Sequence, residues 1–228
     1  MRDVCETYRA APQRLETEGI HTVCVDEKTS IQALEPAAPT LPMRPGLIER
    51  REVEYERHGT RVLLGDFEVA TGEVIAPTVQ PTRGEADFAA HIERTIATDP
   101  SAGRIFVADN LTTHGSATLV LLIAGLCGLP ADALGAKGKS GVLKSVATRK
   151  AFLGDASHRV RFVSVPKHTS WLNRIEIWFS ILSRRVIRRG EFRSTADLRD
   201  RILKFIDYYN DTMAKPFKWT YAGRPLNV

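Results

Sequence analysis

The run RIFVADN at 104–110 is apolar without alternation until it stops at Asp109. A strand with no polar face must be covered on both sides, which places it near the centre of a sheet with helices above and below. The flanking segments can supply those layers. TRGEADFAAHIERTIATDP carries Phe88, Ile92 and Ile96 at a spacing of four and stops at Asp99-Pro100, the pattern of an amphipathic helix. GSATLVLLIAGLCG reads as a buried helix and HRVRFVSVP as another strand. In STADLRDRILKFIDYYNDT, Leu198, Ile202, Phe205, Ile206 and Tyr209 form one stripe behind a Ser194 cap.

The first third of the chain has a different rhythm. GIHTVCVDEK alternates His21, Val23 and Val25 with Thr22, Cys24 and Asp26, and so ends in a strand that Asp26 closes. The proline-rich EPAAPTLPMRPG is expected to hold neither helix nor inner strand. GTRVLLGDFEV and GEVIAPTVQ flank ATG as a hairpin. Three early strands without helices imply antiparallel pairing, and later strands alternating with helices imply parallel crossovers. The expected fold is α/β: a mixed five-stranded sheet flanked by helices. Residues 130–158 read as an insertion with no assignable structure.

The chain has 228 residues, 43% hydrophobic and 26% charged, which suits a globular domain. No apolar run is long enough to span a membrane, and MRDVCETYRAAPQRLETEG lacks the apolar core of a signal peptide. Cys5, Cys24 and Cys127 are too scattered for a disulfide framework or a zinc motif. GAKGKS at 135–140 lacks the first glycine and the preceding strand of a phosphate-binding loop. The net charge is +5 and the basic residues cluster. KGKSGVLKSVATRK (137–150) contains no acid, and RRVIRRGEFR (184–193) has a single glutamate. Such segregation fits phosphate contact and equally a solvated surface.

Three carboxylates stand out. Asp26 and Asp109 end strands that converge if they are parallel neighbours. In PKHTSWLNRIEIWFSILSRR (166–185), read as one helix, Trp171, Ile175, Trp178, Phe179 and Leu182 share the packing face. Glu176 falls at the border of that face beside Asn173, Ser180 and Ser183, with Arg174, Arg184, Arg185 and Arg188 in a second sector. Trp171 and Trp178 are expected in the core. Three converging carboxylates would make a hard oxygen site for Mg²⁺ or Mn²⁺. Taken singly, each is also an ordinary turn, cap or surface residue, and Glu27 and Asp66 rival Asp26.

VCVDEKTSIQAL, IFVADNLTTH and VPKHTSWLNRIEIWFSIL, in this order, resemble the three catalytic blocks of DDE-superfamily transposases, and more closely the bacterial insertion-sequence branch of the mariner superfamily. The resemblance runs from about residue 20 to the end. It implies a ribonuclease H-like fold, and Asp26, Asp109 and Glu176 as a catalytic, metal-holding triad for two Mg²⁺ or Mn²⁺ ions. It implies cleavage and strand transfer of DNA, with element ends and target DNA as partners, a homodimer in the DNA complex, and a place at the bacterial nucleoid in the cytoplasm. His114, Lys167, His168, Asn173, Arg184, Arg185 and Arg188 are the candidates for supporting the site or touching DNA. The gap from Asp109 to Glu176 is longer than in mariner members because of the 130–158 insertion. With so short a segment before the first block, residues 1–19 are expected to be a helical remnant or linker, 20–212 the catalytic domain, and 213–228 an extended basic and aromatic tail, without an element-end reader. A ribonuclease H-like nuclease, or an inactive DNA-binding or dimerisation remnant of a decayed element, is the alternative.

Overall fold

A computed structural model describes residues 1–39, 41–50 and 52–221. After helix α1 (Arg2–Glu18) come strands β1 (Ile20–Pro36), β2 (Tyr55–Glu68) and β3 (Val74–Gln80). Helix α2 (Glu85–Ala97), strand β4 (Gly103–Ala108), helices α3 (Ala117–Leu126) and α4 (Val146–Leu153), and strand β5 (Val160–Ser164) follow. Helices α5 (Ile175–Leu182) and α6 (Thr195–Thr212) complete the described elements.

The sheet order is β3-β2-β1-β4-β5. β1 pairs antiparallel with β2, and β2 with β3, while β1–β4 and β4–β5 are parallel. This is the mixed five-stranded sheet flanked by helices that the alternation of periods implies. β4 lies between two parallel partners, and its Ile105, Phe106, Val107 and Ala108 are all buried. One face packs under α1, α5 and α6 through Tyr8, Cys24, Phe67, Trp178, Ile202 and Tyr209. The other packs under α2, α3 and α4 through Val23, Val25, Phe88, Ile92, Leu119 and Leu153. α1 is part of this structure, since its Val4, Cys5, Tyr8 and Ala11 are buried. It ends at Gly19, whose left-handed φ of 64° turns the chain into β1. The hairpin expected at ATG forms between β2 and β3. Gly72 has φ +82°, and a Cβ there would meet the Lys215 carbonyl oxygen at 2.1 Å. No helix among the described residues is long and apolar enough to cross a membrane.

Three expectations need correction. Asp26 does not end its strand. β1 continues to Pro36, into the segment assigned to a loop, because Ile31 and Ala33 are buried and the extension pairs with β2 up to Tyr55. Helix α5 starts at Ile175 rather than near Pro166. His168 has φ 63°, Ser170–Leu172 form a short 3-10 turn, and Asn173 is extended with ψ 111°. Trp171 therefore leaves the packing face and is 54% exposed, whereas Trp178 is fully buried. The 130–158 segment forms short 3-10 turns and helix α4, whose Ser145 cap accepts a hydrogen bond from the Thr148 N–H.

Trp178→Ala is expected to cost about 3–5 kcal/mol through lost burial and an unfilled cavity. The shift of the urea unfolding midpoint at constant slope measures it.

Candidate active site

Parallel pairing of β1 with β4 runs from Ile20↔Gly103 to Cys24↔Val107 and stops there. Asp26 and Asp109 lie just past that point: Asp109 follows the end of β4, and Asp26 sits inside β1 where β2 still pairs with it but β4 no longer does. Asp26 is buried and its Oδ1 accepts the Glu27 N–H at 2.8 Å. Asp109 is half-buried and its Oδ1 accepts the Leu111 N–H at 2.8 Å. Ligand atoms of Asp26, Asp109 and His114 all fall within 4.8 Å of one another. The convergence expected of the two aspartates therefore occurs.

His114 sits in the short turn before α3, 4% exposed, with its ring 4.2 Å from that of Phe88. Its Nδ1 lies 2.8 Å from Asp109 Oδ1 and its Nε2 2.9 Å from Glu27 Oε2. Burial opposes charge on the imidazole, but these two carboxylates override it and lift the pKa to about 9. The imidazolium is thus held at neutral pH. Asp109, for which burial raises the pKa, is nevertheless held below the usual carboxylate range by His114, the Leu111 N–H and Lys150. For Asp26 the Glu27 N–H and the His114 charge act in the same downward sense but are outweighed. Burial first, and then the Asp109 charge, push it up to about 7.

Asn173 meets Asp26 from the other side. Its Nδ2 donates to the Val25 carbonyl at 3.0 Å and to Asp26 Oδ2 at 3.2 Å, while its Oδ1 is buried without a hydrogen-bond partner. Reaching the strand pulls Asn173 out of helical geometry and fixes where α5 begins. Its carbonyl accepts the Glu176 N–H at 3.1 Å, so Glu176 stands in the first turn of α5 one step from the Asp26 contact. Glu176 is exposed and lines an open recess with Lys28, Ser180 and Arg188. It is not among the three residues drawn together around Asp26.

The start of α5 is clamped from behind. The buried Arg174 guanidinium lies 4.8 Å from the Tyr8 ring centroid and 5.1 Å from that of Trp219, a cation–π sandwich between α1 and the C-terminal segment. Tyr8 Oη donates to the Leu172 carbonyl at 2.8 Å. Arg174 therefore belongs to the packed side, unlike Arg184, Arg185 and Arg188, which are exposed. Lys167 and His168 are exposed on the loop leading to Asn173.

Two contributors were not read from the sequence. Glu27, considered only as a rival to Asp26, has a side chain 4% exposed and bridges His114 and Arg83. α4 reaches the site from the insertion: Lys150 Nζ donates to Asn110 Oδ1, and Arg149 Nε donates to the Gly115 carbonyl at 2.7 Å. The run KSVATRK was visible as charge, but nothing local indicated where it would dock.

The donor set fits a divalent cation. Two hard carboxylates come together, Asp26 held near neutrality by burial and then by the Asp109 charge, and the buried Asn173 amide oxygen lacks a partner. An acidic cleft where the parallel ladder of the two central strands ends, on a mixed sheet covered on both faces, defines a candidate site for metal-assisted chemistry. Residues 21–199 match the family model of the DDE superfamily endonucleases, and the chain belongs to that family. Among solved structures it is similar to the Mos1 transposase catalytic domain with raltegravir and Mn, at 11% identity over 92% of this chain and 81% of that one, TM-score 0.48. It is also similar to the Mos1 mariner paired-end complex with Mn, at 17% identity and TM-score 0.34, covering 91% of this chain and 62% of that one. No curated protein matches.

Because Asp26 must ionise to hold a cation, Mn²⁺ affinity is expected to be flat above about pH 7. Below it, affinity should fall by up to about tenfold per pH unit, with one proton released on binding. Calorimetric titration in buffers of different ionisation enthalpy reads both. Asn173→Ala leaves the Val25 carbonyl unpaired and is expected to cost about 1–3 kcal/mol of stability, read from denaturant unfolding without metal.

Proposed function

We propose that this chain is a transposase catalytic domain that cuts DNA phosphodiesters and joins strands during movement of an insertion sequence. The observation that carries the reading is the meeting of Asp26 and Asp109, supported by the family match over residues 21–199. Residues 20–212 are the catalytic unit, and Asp26, Asp109 and Glu176 are the residues that hold Mg²⁺ or Mn²⁺, two ions in the working complex. When bound, such ions supply Lewis-acid activation of the attacking oxygen and neutralise charge on the leaving oxygen.

The chain's own residues prepare that chemistry. His114, charged and wedged between Glu27 and Asp109, keeps Asp109 ionised and fixes its direction. Asn173 holds Asp26 and, through the helix start it defines, sets the position of Glu176. Lys167 and His168 offer positive charge and hydrogen-bond donors on the approach loop; Arg184, Arg185 and Arg188 offer charge along the π-helical turn that follows α5. These contacts would position phosphates without reading sequence. The partners are element ends and target DNA, engaged by two copies of the chain at the bacterial nucleoid.

Incubation with nicked or end-mimicking duplex and Mn²⁺ tests the reading. Strand cleavage is expected, and Asp109→Asn and Glu176→Gln should each reduce it by more than about 100-fold, beyond the ~10–100-fold typical of residues that only support a metal ligand. Unchanged cleavage in either variant would reject the assigned residue. Preferential cutting of RNA–DNA hybrids would move the assignment to a ribonuclease H-like nuclease.

A further inference from the structure

A groove of about 450 Å³ lies between the end of α5 and the part of β1–β2 that projects beyond β4. It shares Lys28, Ser183 and Arg188 with the recess that Glu176 lines, so the two form one path leading away from the carboxylates. Two backbone irregularities shape its walls. β1 bulges between Lys28 and Ile31, with Ser30 at φ 56°, and α5 runs on into a π-helical turn over Ser183–Ile187. Bulges and π turns concentrate beside functional sites, where they re-aim side chains.

The lining is of two kinds. Lys28, Arg188 and Arg189 are cationic, and Leu34 and Tyr55 are apolar or aromatic. Glu52 and Glu191 also line the groove. Among the described residues, no carboxylate lies within ion-pair distance of Lys28, Arg184, Arg185, Arg188 or Arg189. Tyr55 is 53% exposed, so its ring is open to a stacking partner. Unpaired cations next to an exposed aromatic ring form the kind of surface that tracks a single nucleic-acid strand. The volume admits a small organic group and is far too small for a duplex.

We propose that this groove binds one unpaired nucleotide of the substrate strand, adjacent to the phosphodiester held at the carboxylates. Its phosphate rests on Lys28, Arg188 and Arg189, and its base stacks on Tyr55. This rests on the reading of the chain as a DNA-cutting enzyme and adds that the enzyme recognises a locally single-stranded extension.

Fluorescence anisotropy with labelled hairpin duplexes tests it. The stems are identical and end blunt, with a three-nucleotide 3′ extension or with a three-nucleotide 5′ extension, and Ca²⁺ replaces Mn²⁺. One polarity of extension is expected to tighten binding by about tenfold, the lower part of the range for one stacked base. Tyr55→Ala should abolish that preference, and Arg189→Ala should reduce it and lower the salt slope by about 0.7. A thermal melt checks that both variants fold. Equal binding of all three hairpins by the wild type, or a preference surviving in both variants, overturns the proposal while leaving Mn²⁺-dependent cleavage as separate support for the enzyme reading. Absence of both salt-sensitive DNA binding and cleavage refutes the enzyme reading itself.

Discussion

The mutual repulsion of Asp26 and Asp109 is the constraint around which the domain is arranged. Parallel pairing of β1 with β4 puts the two carboxylates face to face at the point where the ladder stops. Left alone, such a pair would hold one proton between them or move apart. Here neither carboxylate can retreat. Asp109 is tied to His114 and to the Leu111 N–H, and Asp26 to Asn173 and the Glu27 N–H. The protein keeps one acid ionised and the other poised near neutrality, a state that a cation would relieve.

That arrangement draws on both helix layers. From the α2–α4 side come Phe88 against the His114 ring and Lys150 onto Asn110. From the α1–α5–α6 side come Asn173 and the Arg174 clamp. The sheet is therefore more than a scaffold between two cores. It is the plane in which contributions from both faces meet.

Much of the fold was legible from the sequence because period and burial agree. β4 could be recognised as central because it has no polar face, and α6 because its apolar stripe follows a serine cap. The miss at β1 arose because EPAAPTLP reads as a breaker, while the pairing that extends the strand comes from Tyr55–Arg61, far along the chain. The miss at α5 has a related cause. A helical projection assumes regular geometry from Pro166 onward, whereas the long-range bond from Asn173 to the strand interrupts it. In the site, Asp26, Asp109 and His114 could be found because each lies in a short motif block on or just after an apolar strand run, even though the strand bearing Asp26 runs on past it. Glu27 and Lys150 could not, since one looks like a duplicate acid and the other lies in a segment with no periodicity.

The clamp behind α5 carries a topological consequence. α1 and the C-terminal segment close over the same spot, with Arg9 Nη2 donating to the Tyr221 carbonyl at 3.2 Å and Tyr221 Oη lying 3.6 Å from Met1 Sδ. The described chain thus comes back nearly to its start, and the order in which its elements are connected is partly arbitrary. A covalent joint across that closure, with new ends opened in the exposed 41–50 turn, would leave every sheet pairing in place. The geometry of the acidic cleft would then depend on which elements touch and not on which is synthesised first.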